Sequence, residues 1–136
     1  MGRTVFAITL YVLLGALDIC AVAAERVTGI YSDMAFNKES GDVSGIEVFV
    51  VFSREGFQVI FQDAEGSPSV PVVVTAVVKG SNISFDLPER NGYSGKFVGR
   101  ISNGKLVGSF LAGAVGKEGK SEITLKRGKS YWQRAR

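Results

Sequence analysis

Residues 93–112 read YSGKFVGRISNGKLVGSFLA, and this stretch decides the fold. Apolar Tyr93, Phe97 and Ile101 alternate with polar residues, a period of two that is typical of a strand with one dry face. A second apolar run follows from residue 105. Between the two runs stands Asn103-Gly104, the dipeptide that a two-residue hairpin turn favours. The stretch therefore predicts two antiparallel strands joined by a tight turn.

The same alternation, broken by Gly, Pro, Asn and Asp, recurs along the chain and predicts eight strands. We expect them at residues 27–31, 45–53, 57–63, 70–78, 82–87, 93–101, 105–112 and 120–127. Their connectors alternate in length. The tight ones are residues 54–56, 79–82 and 102–105, and the long ones are residues 32–44, 64–69, 88–92 and 113–119.

This alternation of connectors favours an all-β fold, an eight-stranded antiparallel up-and-down meander barrel. Sequential hairpins suit a meander better than the long crossing connections of the alternative, a β-sandwich. In a meander every long connector lies at the same end, and long loops on a rigid scaffold commonly carry function.

Residues 1–24 are predicted to be a secretory signal peptide. An early charge at Arg3 precedes an apolar run from Val5 to Leu17, and small residues follow at 21–24. The run is too short for a membrane span, and the residues before Cys20 do not fit a lipoprotein signal. We therefore expect an exported protein, periplasmic or secreted, with a single β-barrel domain at 25–136 and no integral membrane segment.

The chain has no histidine, and its one cysteine lies in the predicted signal. Zinc sites, Ser-His-Asp triads and cysteine nucleophiles all need one of these residues, so we predict no catalytic residue, no metal site and no cofactor. The enzymatic alternative is a small hydrolase or isomerase that uses carboxylates such as Asp63 and Glu65.

The first predicted strand opens with Thr28-Gly29-Ile30-Tyr31. This resembles the Gly-x-Trp start of lipocalins and the similar start of avidin-like barrels, with Tyr in place of Trp. The resemblance implies a calycin-type barrel in which a basic residue of the last strand, here Arg127, packs across the aromatic ring. Gly29, Tyr31 and Arg127 would then close one end structurally, and no ligand contacts carry over.

Charge is distributed unevenly. Residues 33–65 hold seven acids and two bases, whereas residues 117–136 hold seven bases and two acids. Many of the acids fall on the long connectors, which predicts an acidic mouth able to attract cations, sugars or basic partners. We expect a small ligand to bind there. The candidate residues are Asn37, Glu39, Asp42, Asp63, Glu65, Glu89, Arg90 and Asn91.

The second to fourth predicted strands are apolar on both faces. The out-of-phase residues are Phe49, Val51, Ile60, Val73 and Val77. Such a patch indicates a partner, a second copy or a covering segment. The alternative function is thus a non-enzymatic envelope module that forms a homodimer or binds an envelope protein through these strands. The basic C-terminus is expected to be solvated, with Trp132 packed back on the barrel and no nucleic acid bound.

Overall fold

The computed structural model describes residues 26–89, 93–111 and 122–134. The predicted signal peptide lies outside these ranges and stays a prediction. The elements are β1 (Gly29–Ser32), β2 (Ala35–Phe36), β3 (Val43–Ser53), β4 (Gly56–Pro68), β5 (Val72–Lys79), β6 (Asn82–Leu87), β7 (Gly95–Ser102), β8 (Lys105–Phe110), β9 (Ile123–Arg127) and α1 (Tyr131–Arg134).

The strands form a closed antiparallel meander, as predicted. From β3 to β9 each strand pairs with the next along the chain, and β1 pairs with both β3 and β9. These eight strands are the barrel, and β2 adds only a short pairing to β3 outside it. The sandwich alternative is excluded by this closure, which leaves the barrel without a free edge.

The predicted tight turns lie together at one end, which we call the turn end. Ser53 faces Gly56, Lys79 faces Asn82 and Ser102 faces Lys105, so each loop has two residues, 54–55, 80–81 and 103–104. Both Asn103 and Gly104 have positive φ, 52° and 68°, as a type I′ hairpin turn requires. The opposite strand ends, at residues 32 and 43, 68 and 72, 87 and 95, and 110 and 123, define the loop end.

Two predicted connectors contain more strand than the sequence pattern suggested. Residues 64–68 continue β4, because they pair with the start of β3 up to Val43 beside Gly66. Residues 35–36, inside the predicted loop 32–44, form β2 against the same part of β3. The pairing of β5 with β4 ends at Val72 beside Phe61. The β2–β3–β4 extension, residues 35–36, 43–47 and 62–68, therefore projects beyond the barrel at the loop end.

Aromatic rings fill the part of the barrel interior that is nearer the loop end. Phe110 contacts four of them, with centroid distances of 6.0 Å to Phe61, 6.4 Å to Phe85, 5.3 Å to Tyr93 and 5.2 Å to Phe97. Phe85 and Phe97 also stack at 4.8 Å. We call Phe61, Phe85, Tyr93, Phe97 and Phe110 the aromatic cluster.

Two paired glycines make room for one ring of this cluster. A Cβ on Gly99 would lie 2.7 Å from Phe97 Cε1, and one on Gly108 would lie 2.6 Å from Phe97 Cζ. Neither distance is compatible with a side chain, so the glycines set the position of the Phe97 ring. The interior at this level is occupied by aromatic carbon.

The C-terminal segment, residues 128–134, crosses the outside of the barrel from the turn end towards the loop end. The Gly128 N–H donates to Ile30 O at 3.0 Å. The Ser130 hydroxyl and the Tyr131 N–H then donate to the Glu47 carboxylate at 2.6 and 2.7 Å. This carboxylate is on the outer face of β3, yet Glu47 is only 9% exposed, because the C-terminal segment covers it.

A small second apolar cluster forms under this segment from Met34, Ala64 and Tyr131, with Val43 packed against it. The expectation for Trp132 needs refinement. Its indole N–H does donate to Gln62 Oε1 on the barrel at 3.0 Å, but the side chain stays half exposed, and the buried anchor is its neighbour Tyr131. The segment therefore covers the part of the apolar outer face that is nearer the loop end.

The rest of that face is not covered by any described residue. Ile30, Phe49, Ile60 and Val73 follow one another across four neighbouring strands in a row. Phe49 is 37% exposed and Val73 66%. Val77, farther along β5, is also exposed. This row, with Val51 and Val77, is the outer apolar patch that the sequence pattern predicted.

At the turn end Arg127 packs against Gly29 and Tyr31 as the resemblance implied. Its Cζ lies 5.6 Å from the centroid of the Tyr31 ring, and its guanidinium donates to Arg26 O at 2.7 Å and to Thr28 O. A Cβ on Gly29 would lie 2.8 Å from Arg127 Nη2. Gly29 therefore leaves the space through which the guanidinium reaches the chain before β1.

We predict that Arg127→Met lowers the free energy of unfolding by about 2–4 kcal/mol. Hydrogen bonds to charged groups contribute about 1.5–3 kcal/mol and a cation-π contact about 0.5–2 kcal/mol. Urea unfolding measures the change. Arg100→Met, on the exposed outer face of β7, is the matched control and should shift stability by no more than about 0.5 kcal/mol. Equal midpoints for the two variants would show that Arg127 does not hold the closed end.

Candidate functional site

The loop end brings carboxylates close to the top of the aromatic cluster. Along β4, Phe61, Asp63 and Glu65 alternate on the side that faces the barrel interior, and the latter two lie in the β2–β3–β4 extension. Tyr93 precedes β7 and is half-buried, with ring centroids 5.8 Å from Phe61 and 5.3 Å from Phe110. Its phenol is therefore the polar top of an otherwise apolar cluster.

Electrostatics link this phenol to three acids. Burial raises the pKa of Tyr93 above its ordinary value, and the charges of Asp33, Asp63 and Glu65 raise it further. The geometry agrees: Asp33 is bonded to Ile46, which stands beside Asp63 in the β3–β4 ladder, and Tyr93 packs on Phe61, two residues before Asp63. The four residues therefore lie at the same end of the barrel, a phenol on an apolar cluster beside carboxylates. We call this group the mouth site.

Two hydrogen bonds to the backbone of Ile46 hold Asp33 in place. The chain turns out of the barrel after β1, and the Asp33 N–H donates to Ile46 O at 3.1 Å while its Oδ1 accepts from the Ile46 N–H at 2.6 Å. This close crossing needs Gly45, where φ is +114° and a Cβ would lie 2.8 Å from both Asp33 Oδ1 and Met34 Cα. Asp33 is consequently held against β3 at Gly45 and Ile46.

Asp63 has a structural task besides its charge. Its Oδ1 accepts from the Ser69 hydroxyl at 2.6 Å, and the Ser69 N–H donates to Asp63 O at 2.8 Å. These bonds fasten the connector between β4 and β5 to the extension. One carboxylate oxygen of Asp63 is therefore engaged, whereas Glu65 is exposed.

Of the other predicted mouth residues, the four that the structure describes are not part of this group. Asn37, Glu39 and Asp42 lie in the exposed turn between β2 and β3, where Asn37 Oδ1 accepts from the Glu39 N–H at 2.9 Å and so shapes the turn. Glu89 is exposed beyond the end of β6. Arg90 and Asn91 lie outside the described residues. Of the eight candidates, the structure brings Asp63 and Glu65 together.

The sequence pattern does not predict Tyr93 as a member of the site, because Tyr93 fits one more inward apolar position. Asp33 is one of the acids on the long connectors from which the acidic mouth is predicted, but it is not among the eight candidate residues. The usable signal was the residue type: Tyr93 stands at the loop end of an alternation whose next inward ring is Phe97, and a buried tyrosine normally keeps its hydroxyl near a polar group or water.

The chemistry that this site supports is recognition. Within residues 26–89, 93–111 and 122–134 no group of three His, Cys, Asp or Glu side chains is arranged to hold a metal ion. An aromatic floor beneath carboxylates suits a ligand with an apolar body and a positive charge. The prediction of a non-enzymatic protein stays a prediction.

We predict that the double variant Asp63→Asn, Glu65→Gln lowers the pKa of Tyr93 towards the ordinary value of about 10. A nearby carboxylate disfavours the tyrosinate anion, so removing two negative charges favours deprotonation, while burial still holds the pKa above the ordinary value. Carbon-13 NMR of the tyrosine Cζ atoms measures the titration. Asp86→Asn removes an acid on the outer face of β6 and should leave the pKa unchanged. An unchanged pKa in the double variant would contradict the grouping.

No helix among the described residues is long and apolar enough to cross a membrane. In comparison with known proteins, no family model, no curated protein and no solved structure matches the chain.

Proposed function

We propose that the protein is an exported small-ligand-binding barrel, similar to lipocalins in architecture, whose ligand binds at the mouth site. The ligand lies against Tyr93, whose ring packs on the buried Phe61 and Phe110, between the β2–β3–β4 extension and the start of β7. It does not enter the depth of the barrel, because the Phe85 and Phe97 rings occupy that space.

The observation that carries this proposal is that Tyr93, which caps the aromatic cluster, lies beside the carboxylates of Asp33, Asp63 and Glu65 at the loop end. The Tyr93 ring, with its centroid 5.3 Å from that of Phe110 and 5.8 Å from that of Phe61, is half-buried, whereas those two rings are buried, so Tyr93 is the ring of this trio that a ligand can contact. The three carboxylates that raise the pKa of Tyr93 favour a cationic ligand over an anionic one. An organic cation with an aromatic or aliphatic body satisfies both parts of the site.

We predict that benzyltrimethylammonium binds at this site and that phenylacetate, an aromatic anion of similar size, does not. Titration of each compound is followed by the Tyr93 Cζ chemical shift. The double variant Asp63→Asn, Glu65→Gln should weaken binding of the cation about five-fold or more, because each charge pair near a surface contributes up to about 1 kcal/mol.

Asp86→Asn is again the matched control, since it removes one negative charge far from the mouth. Equal affinity for the cation and the anion, or equal affinity of the double variant and the control, would contradict the proposal. Native mass spectrometry of the protein purified from its own host then identifies a retained ligand.

The outer apolar patch favours a second function, a non-enzymatic envelope module that associates with a second copy of itself. A row of four apolar side chains on neighbouring strands, two of them substantially exposed, is a continuous surface rather than a scatter of single residues. The barrel wall itself has no strand edge to pair with another copy, and this row is its exposed apolar surface. We therefore place the association on this face.

We predict that the wild-type chain self-associates in the micromolar range and that Val73→Lys abolishes the association, because it places a charge at the most exposed position of the row. Sedimentation equilibrium measures both. Thr124→Lys, at an exposed position on the outer face of β9, should associate like the wild type. A wild-type chain that stays monomeric throughout the micromolar range would exclude this function.

A further inference from the structure

A second site lies outside the barrel, between α1 and β2. An open cavity of about 450 Å³ is lined by Met34, Ala35, Phe36, Tyr131 and Arg134. Met34 and Tyr131 are buried and form its inner wall, whereas Phe36 is 52% exposed at its edge. The cavity is on the outer wall and shares no residue with the mouth site. Its volume falls within the range of about 300–1,000 Å³ usual for small-molecule sites.

The walls of this cavity are held firmly although α1 is a single turn. On one side the Glu47 carboxylate accepts from Ser130 and from the Tyr131 N–H. On the other side an Arg134 Nη2–H donates to Met34 O at 3.1 Å. Met34 and Tyr131 also belong to the same buried cluster. The cavity is therefore part of the folded structure and does not need a ligand to form it.

Arg134 supplies the polar part of the lining. A guanidinium carries five N–H donors in a planar fork, and the hydrogen bond to Met34 O uses one of them. Within the described ranges no carboxylate lies within 4.0 Å of Arg134. The ion pair found among the described residues joins Lys96 and Asp86 instead. A positive charge with unused donors thus borders an apolar cavity.

We propose that this cavity binds a compact amphipathic carboxylate. The apolar body of the ligand contacts Met34, Phe36 and Tyr131, and its carboxylate accepts hydrogen bonds from Arg134. Charge complementarity selects an anion, which is the opposite of the selectivity proposed for the mouth site. The volume selects one small molecule rather than a stretch of membrane.

Trp132 provides the measurement. It is the only tryptophan of the chain, and its ring centroid lies 5.1 Å from that of Tyr131, which lines the cavity. Titration of the full chain with 4-phenylbutyrate should change the tryptophan fluorescence saturably. The same titration with 4-phenylbutylamine, which has the same body and a positive charge, should not.

Two variants test the assignment independently. Arg134→Gln should weaken 4-phenylbutyrate binding at least ten-fold, because it removes the charge-assisted hydrogen bonds. Arg54→Gln, in the tight turn after β3 at the turn end, is the control and should bind normally. Ala35→Phe should block binding by filling the cavity while the charge of Arg134 remains. Unfolding midpoints of each variant identify any loss of fold.

Several results would overturn the proposal. They are the absence of a saturable change, equal affinity for the carboxylate and the amine, equal affinity of Arg134→Gln and Arg54→Gln, or co-sedimentation with phosphatidylglycerol vesicles in place of 4-phenylbutyrate binding. The double variant Asp63→Asn, Glu65→Gln should leave 4-phenylbutyrate binding unchanged. A failure of the mouth proposal is thereby distinguished from a failure of this one.

Discussion

Closure of the barrel depends on β1, a strand of four residues that must pair on both sides at once. Without it β3 and β9 would present two open edges to solvent. Its ladder with β9 contains only Tyr31 beside Arg127 and Ser32 beside Lys126. Backbone pairing over two residues contributes little stability, and side-chain contacts add to it. The Arg127 guanidinium reaches two carbonyl groups before β1, and the Tyr31 hydroxyl donates to Val27 O at 2.8 Å.

The C-terminal segment strengthens the same joint from outside. Glu47, to which it is anchored, stands directly beside Ser32 of β1 in the ladder with β3. A carboxylate buried without partners would be costly, but here it accepts two short hydrogen bonds from the segment. Fastening of the segment and burial of Glu47 are thus mutually dependent. The wall of the outer cavity and the closure of the barrel rest on the same contacts.

Features that depend on neighbouring residues could be predicted from the sequence, whereas features that depend on tertiary contacts could not. The hairpin at Asn103-Gly104 and the strand at 82–87 depend on neighbouring residues, and both are confirmed. Residues 64–68 have the composition of a loop and are a strand only because β3 pairs with them. In the mouth site, Asp63 and Glu65 were predicted because they lie in or beside a long connector, and Asp33 is an acid of another long connector. Tyr93 joins them through tertiary proximity, which no local pattern encodes.

The filling of the interior decides where ligands have space. An eight-stranded barrel encloses a volume just wide enough for side chains or one small ligand. Here Gly99 and Gly108 give up their side-chain space to the Phe97 ring, and Phe97 supports Phe85 and Phe110 in turn. Side chains therefore occupy the space that a ligand would need in the depth of the barrel. The two sites that we propose lie where the closed sheet meets other chain segments, at the rim beside Tyr93 and at the outer wall beneath α1. Carboxylates border the first and Arg134 borders the second, so the two proposals assign ligands of opposite charge to one small barrel.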